Sequence, residues 1–529
     1  MLTTAAPLEH SRRTSAGRTA VICGDERFDY ATLYVRCRRL AAALAELGLR
    51  RGDRVAVLAA GCHRYVEAHL AVPAAGFVIV PLNTRHAEPE LLDALRRSGA
   101  RVLLADREPG RLGEAVETTI RFGADYEALL AAAAAPAEPS SPVAATGVTA
   151  GVTAGAAFSG ATSEDDPAAI FFTGGTTGRS KGVVLTHRNL VANAFHKTLA
   201  CSLERDDVLL AVAPLFHVAG TAPLLGLVWL GGTIVVLPSF DPAVSLDLIE
   251  RHGVTVLVPV PTMVAAMVDE QGRRPRDARS LRLIGHAASP IPAEIVRRAH
   301  AAFPGAELAH FYGATETSSV VTVLRHEERE LDGPRLASCG QPVPGVEVAV
   351  VGPDDKRVAL GEVGEVLVRG PSVMAGYWED PEATATALHE GWYRTGDLGY
   401  LDDQSYLFLV DRAKDMIVSG GENVYSVEVE NALYEHPAVL EAAVFGLPDE
   451  RWGEAVHAVV VVREGTSPTP ELAEELRDHC RSLIAGYKVP KAIGLRTEPL
   501  PKSGPGKILK RQLRDEHAAA RAVRAVTTA

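Results

Sequence analysis

Phe172-Thr173-Gly174-Gly175-Thr176-Thr177-Gly178-Arg179-Ser180-Lys181-Gly182 is the stretch on which the reading of this chain turns. Its glycines let main-chain N–H groups approach an anion without side-chain obstruction. Thr173, Thr176 and Thr177 add hydroxyl donors, and Arg179 and Lys181 add positive charge. The apolar run Ala168-Ala169-Ile170-Phe171 precedes it and Val183-Val184-Leu185 follows, so the expected order is strand, phosphate-gripping loop, strand. Spacing excludes a Walker-type P-loop, because GxxxxGK[ST] needs glycine at 180 and Ser or Thr at 182, where this chain has Ser180 and Gly182.

Outward from this loop, helix-then-strand grammar repeats. Leu33, Cys37, Leu40, Ala41, Leu44 and Leu47 recur at helical spacing and lead into Arg54-Val55-Ala56-Val57-Leu58. Strands are likewise expected at 101–104, 233–237 and 254–258, each beside an amphipathic stretch, which is the signature of an α/β domain. Between about 131 and 162 the grammar stops. An alanine run, Pro139-Ser140-Ser141-Pro142 and a near-repeat from Gly147 to Ala154 read as a flexible surface insertion. After Asp411 the pattern changes to a short strand, a helix over 426–435, strands over 442–445 and 455–462, and a helix over 470–483. The expected organisation is therefore a large multi-layer α/β domain over 1–413, followed by a small α+β domain over 414–529.

With 529 residues the chain exceeds one compact core, and a hydrophobic fraction of 47% supports deep burial. A net charge of −12 and a pI near 5.8 argue against nucleic acid as a partner. Six cysteines are scattered without a CxxC pair, as reduced core thiols of a cytoplasmic protein would be. The N-terminus lacks the apolar core of a signal peptide, and no run of about 18 apolar residues forms a membrane span.

Further motifs follow the glycine-rich loop: Pro214-Leu215-Phe216-His217-Val218-Ala219-Gly220, Tyr312-Gly313-Ala314-Thr315-Glu316-Thr317, Tyr393-Arg394-Thr395-Gly396-Asp397, Asp411-Arg412-Ala413-Lys414-Asp415 and Pro501-Lys502-Ser503-Gly504-Pro505-Gly506-Lys507. In order and spacing they resemble the adenylate-forming superfamily of acyl-CoA synthetases, aryl-CoA ligases, peptide-synthetase adenylation domains and luciferases, over nearly the whole chain. The resemblance implies a large domain joined by a hinge to a small mobile one. It also implies ATP-dependent activation of a carboxylic acid as an acyl-adenylate, with Mg²⁺, and transfer to CoA.

The chemistry of each motif agrees. A carboxylate attacking an α-phosphate brings two anions together, so the site must screen charge and fix the approach. Thr173, Gly174, Gly175, Thr176, Thr177, Gly178 and Lys181 form the phosphate grip, with Thr176 counted among the catalytic groups. Glu316 is the carboxylate assigned to Mg²⁺, and the hydroxyls of Thr315 and Thr317 can reach phosphate oxygens. Tyr312 offers a face to the adenine, beside Ala287, Ala288 and Gly313. Asp397, read as closing a tight turn, can accept both ribose hydroxyls, and Arg412 resembles the second ribose and phosphate contact. By resemblance Lys507 bridges the substrate carboxylate and the α-phosphate. Lys414 matches the hinge, whose rotation would bring Gly420 and Gly421 to the pantetheine thiol.

The chain also departs from the family pattern. Gly174 replaces a serine and Ser180 a proline, which removes one hydroxyl and loosens one turn. His286-Ala287-Ala288-Ser289-Pro290-Ile291 stands where the family has Tyr-Gly-Ala-Ser-Pro-Ile, and His286 can either contact substrate or satisfy a backbone carbonyl. Asp411 stands where the family commonly has glycine.

His217, a catalytic and substrate-binding candidate, occupies the position at which amino-acid-activating relatives place an aspartate, so an acid without an ammonium group is expected. Val218, Gly220, Val258, His286, Ala287 and Gly313 complete a small-residue apolar pocket for an aryl, arylpropenoic, medium-chain or polycyclic acid. Expected partners are that small-molecule carboxylic acid and CoA, or alternatively the phosphopantetheine of an acyl carrier protein; a homodimer is left open. A non-catalytic binding protein of the same fold is the remaining reading, against which the retained Lys507, Glu316 and Asp397 argue. Deleting 134–160 is expected to leave turnover unchanged, and a folded but inactive deletion variant would overturn the reading of this segment as a surface linker.

Overall fold

The structure is a computed structural model, described over residues 2–133, 162–173, 180–287, 291, 293–326, 333–412, 414–419, 422–449, 451–502 and 508–517. By packing, the chain divides into two compact units, residues 1–347 with 368–393, and residues 348–367 with 394–529. The expected α/β architecture with a small C-terminal α+β body is what forms.

The first unit is built on two large sheets. A seven-stranded sheet runs in the order Gly376–Tyr377, Lys181–Thr186, Pro167–Thr173, Val78–Pro81, Arg54–Leu58, Ala100–Ala105, Thr118–Arg121. Its strands from Pro167–Thr173 onward are parallel, and the first two pair antiparallel. A nine-stranded sheet runs Gln341–Pro342, Thr322–His326, Glu307–Tyr312, Leu283–Ala287, Val256–Leu257, Val208–Ala211, Thr233–Val236, Thr19–Cys23, Glu26–Asp29, with parallel pairing throughout its centre. Parallel sheets bury both faces, and ligands of such sheets sit beyond the carboxyl ends of the strands. Thr173, Ala287 and Tyr312 all end strands of this kind.

Local chemistry places the helices. Asp29 accepts the Thr32 N–H at 2.7 Å and starts the helix Tyr30–Glu46, which buries Leu33, Cys37, Leu40, Ala41 and Leu44 of the expected stripe, while Leu47 caps the helix and is exposed. Thr186 and Asn189 exchange side-chain bonds with each other's backbone and open the helix His187–Ala200 directly after the phosphate-loop hairpin. The strand expected over 254–258 shrinks to Val256–Leu257, because Pro259 cannot donate to a ladder. The expected insertion also starts later than its composition suggests. Ala131 and Ala132 finish the helix Ala124–Ala132, and Ala133 packs against Ala42 and Ala43. Residues 134–161 lie outside the described residues.

In the second unit, strand Leu407–Arg412 pairs antiparallel with strand Trp392–Leu401. A five-stranded sheet follows, in the order Glu422–Val424, Ile417–Ser419, Gly453–Val462, Val439–Asp449, with Ala492–Arg496 added on Gly453–Val462. Helices Ser426–Tyr434 and Pro470–Leu483 fall within a residue of expectation. One core joins Val429, Leu433, Val444, Val460, Leu476 and Cys480, and a second joins Phe445, Val459, Val461, Leu500 and Leu513. The sheet is thus covered on both faces, because adjacent residues of a strand point to opposite sides.

All six cysteines are free thiols, and Cys37, Cys201, Cys339 and Cys480 are buried. Among the described residues no helix is long and apolar enough to cross a membrane.

Candidate active site

The phosphate grip is anchored by a hairpin whose register is explicit: Thr173 pairs with Lys181 and Phe172 with Gly182. Gly174, Gly175, Thr176, Thr177 and Gly178 lie outside the described residues. Ser180, expected to loosen the turn where relatives carry proline, instead donates its hydroxyl to the Thr173 carbonyl at 2.7 Å and clips the mouth of the loop. A hydrogen bond here does the restraining that a pyrrolidine ring would do through its fixed backbone torsion.

Lys181 stands at the exit of this loop with its ammonium 4.8 Å from the centroid of the Tyr377 ring. The Tyr377 hydroxyl donates to Glu316 Oε1 at 3.0 Å. Residues from three distant segments therefore meet, and Tyr377 is a member that motif reading missed. Its register explains the meeting, because Tyr377 pairs with Val183 on the strand that Lys181 begins. Met374 ties the same segment to Glu316 through its N–H, 2.8 Å from the Glu316 carbonyl. Burial first, and the Glu316 carboxylate second, push the phenol up, so Tyr377 stays protonated and remains a donor. The available signal was the aromatic pair Tyr377-Trp378 behind Gly376, whose φ of +150° favours glycine.

Glu316 itself sits in a 3-10 turn over Thr315–Thr317. The Thr317 hydroxyl accepts from the Ala314 N–H at 2.9 Å and donates to the Ala314 carbonyl at 3.0 Å. It is buried inside the turn, so the expectation that Thr317 reaches a phosphate is corrected, and Thr315 carries that proposal alone. Gly313 is required by the chain: a Cβ there would lie 2.0 Å from the Ser319 carbonyl oxygen. Among the described residues no group of three or more His, Cys, Asp or Glu side chains converges as a metal cluster. A lone carboxylate fits magnesium, which keeps waters and substrate phosphates as its other ligands.

The strand ends beside this turn bring Ala287 and Tyr312 close, since Ala287 pairs with Phe311. His286 behaves differently from both expectations. Its Nε2 lies 3.1 Å from His326 Nε2, and its ring stacks on His310 and His326 at centroid distances of 4.8 and 5.3 Å. The partner is another imidazole rather than a backbone carbonyl. Burial drives all three below the ordinary value of 6.5, His310 to about 4 and His326 to about 3, and the neighbouring rings add to the effect on His286 and His326.

On the acid side, His217 precedes the helix Val218–Leu230 and is pushed down to about 4 by burial, with Arg85 and His86 adding to the shift. It is a neutral imidazole at working pH. Val218 and Val258 are buried. Gly220 is again a requirement of the fold, as a Cβ would lie 2.4 Å from the Pro214 carbonyl oxygen.

In the second unit Asp397 and Arg412 are cross-strand partners, with Arg412 Nε 3.0 Å from Asp397 Oδ1. The tight turn expected at Thr395–Asp397 is corrected: these residues lie within the strand Trp392–Leu401. A local twist remains, with Gly396 at φ +69° and the Asp397 N–H on Thr395 Oγ1 at 3.0 Å. Lys414 is exposed in the turn after Arg412, whose carbonyl accepts from the Asp415 and Met416 N–H groups at 2.9 and 3.0 Å. Ala288, Gly420, Gly421 and Lys507 lie outside the described residues.

Comparison with known proteins agrees with this geometry. A profile described as AMP-binding enzyme matches residues 8–378, and one described as AMP-binding enzyme C-terminal domain matches 428–507. The chain is 39% identical to a feruloyl-CoA synthase of an Amycolatopsis species, over 95% of this chain and 96% of the relative. A fatty acid–acyl-carrier-protein ligase of Streptomyces coeruleorubidus is 34% identical over 94% and 93% of the two chains. The o-succinylbenzoate CoA synthetase of Bacillus subtilis, solved with its acyl-adenylate intermediate, superposes with a TM-score of 0.83 at 32% identity, covering 96% of this chain and 98% of that one.

Tyr377→Phe removes a hydrogen bond to a charged acceptor, worth about 1.5 kcal/mol or roughly tenfold. That loss is expected in the adenylation expected of this site, together with a higher Mg²⁺ requirement if Glu316 is the carboxylate that holds the ion; unchanged Mg²⁺ dependence would separate Tyr377 from that role. The buried imidazoles set a sign for pH. Their folded values lie below 6.5, so below that pH the unfolded chain binds protons that the folded chain refuses. Stability is fully present above about pH 6.5 and is lost as pH falls toward 4. His310→Phe, which keeps a stacked ring, should flatten the fall in Tm between pH 6.5 and 4.5, and an unaltered slope would remove the triad from that account.

Proposed function

The chain belongs to the AMP-binding enzyme family, and from that premise we propose that it joins an aryl or arylpropenoic acid to CoA through an acyl-adenylate. At the coarser level it is an AMP-forming acid–CoA ligase that uses ATP, Mg²⁺ and CoA. The observation that carries the reading of the site is the Lys181–Tyr377–Glu316 contact, which sets a cation and a metal-suited carboxylate at the mouth of the phosphate loop.

In the first half-reaction an oxygen of the substrate carboxylate attacks the α-phosphorus, and the bond to the pyrophosphate oxygen breaks. Lys181 and the loop hold the phosphate charge, and Lys507 steadies the entering carboxylate. Mg²⁺, when bound, screens the phosphates and orients the leaving group. Glu316 would hold it, and Tyr377 fixes that carboxylate through its hydroxyl. Asp397 and Arg412 take the ribose. In the second half-reaction the CoA thiol, losing its proton, attacks the acyl carbon and AMP leaves. The segment 414–529 turns about Lys414 between the steps, withdrawing Lys507 and presenting Gly420 and Gly421 to the thiol.

His217, neutral and part-exposed, suits an acid without an ammonium group, since it offers no counter-charge for one. Likeness to a feruloyl-CoA synthase favours ferulate and related acids as the first to try. For the acceptor, Trp452 supports CoA. It is flanked by Arg451, with its guanidinium carbon 4.7 Å from the ring centroid, and by Lys491, with its ammonium at 5.1 Å. An indole beside two cations suits a phosphorylated adenosine. The carrier-protein reading is kept because of the likeness to the acyl-carrier-protein ligase. Free thiols throughout fit a reducing compartment, so we place the protein in the cytoplasm.

The protein is to be incubated with ATP, Mg²⁺ and ferulate, other aryl acids, and medium-chain and polycyclic acids, with and without CoA, following AMP, acyl-adenylate and thioester by mass spectrometry. CoA-dependent thioester with AMP release from an aryl acid is expected. Trp452→Ala should raise KM for CoA while leaving adenylate formation unchanged, and adenylate that accumulates in the presence of CoA would favour the carrier protein instead.

A further inference from the structure

A buried polar network in the second unit is unused by this mechanism. Lys510 Nζ lies 2.6 Å from Ser426 Oγ and 2.7 Å from Glu430 Oε1. The Ser426 hydroxyl, accepting from Lys510, donates to Asp411 Oδ1 at 3.0 Å, and Asp411 Oδ2 accepts the Ser426 N–H. Glu430 Oε1 also accepts the Val444 N–H at 2.8 Å. Ser426 is fully buried, Asp411 is 6% exposed, and the Lys510 and Glu430 side chains are each 14% exposed.

Such a network is expensive to bury, and one cation serves two carboxylates. Apolar packing already anchors the helical segment 510–517, because Leu513 is fully buried against Phe445, Val459 and Leu500. Lys510 is therefore not needed to hold the segment on the sheet. What it adds is direction. It follows Ile508 and Leu509, whose partners are Lys502 in an isolated bridge and the Pro501 carbonyl, 2.8 Å from the Leu509 N–H. On the near side Lys502 is ion-paired with Glu441, which also takes the Leu500 N–H at 3.0 Å. The chain entering and the chain leaving the segment that carries Lys507 are thus each tied by a lysine to a buried or half-buried glutamate. Only the leaving side is tied further, through Ser426, to Asp411, the residue before the ribose contact Arg412.

We propose that Lys510 is a positioning residue for the adenylation step: its ammonium, seated on Ser426 and Glu430 and linked through Ser426 to Asp411, fixes the chain that follows Lys507 relative to the strand carrying Arg412. The inference rests on the assignment of Lys507 to that step. Asp411 precedes Lys414, whereas Ser426, Glu430 and Lys510 follow it, so the network also spans the hinge position.

The test assays the half-reactions separately in the full chain, using the acid selected by the panel above: pyrophosphate release from ATP and acid, and thioester formation from supplied acyl-adenylate and CoA. Lys510→Met is expected to lose adenylation rate on the order of 100-fold, as a misplacement of about 1 Å does. KM for ATP and acid should be nearly unchanged, thioester formation should stay within about threefold, and Lys510→Arg should recover most of the loss. Ser426→Ala, which cuts the link without removing a charge, should show a smaller loss in the same step and carries the test if Lys510→Met fails to fold. Equal losses in both half-reactions, or full adenylation in both variants, overturns the proposal. Lys507→Ala separates the premise from the inference. If it keeps adenylation, both fall; if it abolishes adenylation while the Lys510 and Ser426 variants act as wild type, only the role of Lys510 falls.

Discussion

The hydrogen bond from Tyr377 to Glu316 is the contact on which the arrangement of the candidate active site depends. A carboxylate beside a phosphate site is repelled by its own ligand unless a cation intervenes, so it must be held where the cation is wanted. Tyr377 holds it without charge. Its phenol, pushed up by burial and by the carboxylate it serves, cannot ionise at working pH and cannot add to the repulsion. The ring then does a second task, since its face receives the Lys181 ammonium 4.8 Å from the centroid. One side chain thereby contacts both the cation, through its ring, and the carboxylate, through its hydroxyl.

That contact is set by register, which accounts for what the sequence could and could not disclose. Helical stripes, the strand at Arg54–Leu58 and the C-terminal helix Pro470–Leu483 were legible because periodic burial writes itself into residue spacing. The family was legible because its motifs occur together and in order, and those motifs are what single out Glu316, Asp397, Arg412 and Lys181 as candidates. Tyr377 was not. Its role arises from the two-residue strand Gly376–Tyr377 adding to the edge of Lys181–Thr186, a pairing across almost two hundred residues that no local pattern encodes. Ser180 shows the converse error. A lost proline was read as lost rigidity, whereas the hydroxyl recovers the restraint through the Thr173 carbonyl. Residue type alone does not say which partner a side chain will find.

Glycine and histidine gave the same lesson from opposite directions. Gly220 and Gly313 suggested room for a ligand, but each is excluded from bearing a Cβ by the chain's own carbonyls, at Pro214 and Ser319. These two glycines are therefore explained by the fold itself, with no ligand needed to account for them. His286 reads in sequence as a choice between substrate and a backbone carbonyl. It proves to be the centre of a stack on adjacent strands, because His286 and His310 are register partners and His326 lies on the next strand. Neutral rings stack there at no electrostatic cost, and a second proton would repel within the stack.

Lys502 and Lys510, on either side of Lys507 in the sequence, separate from it on physical grounds. Under the role proposed for it, Lys507 has to meet two anions, and a carboxylate of its own would compete with them. Lys502 and Lys510 do have carboxylates, on Glu441 and Glu430, and are to that extent neutralised. A segment with three lysines in nine positions would otherwise repel itself and present charge diffusely. Pairing the outer two offsets their charge and ties the chain at 502 and at 510, which suits the proposal that a single ammonium between them acts at a defined point. The network behind Lys510 reaches Asp411, next to Arg412, one of the pair proposed for the ribose. Placement of the charge and placement of the nucleotide are thereby made one mechanical problem rather than two.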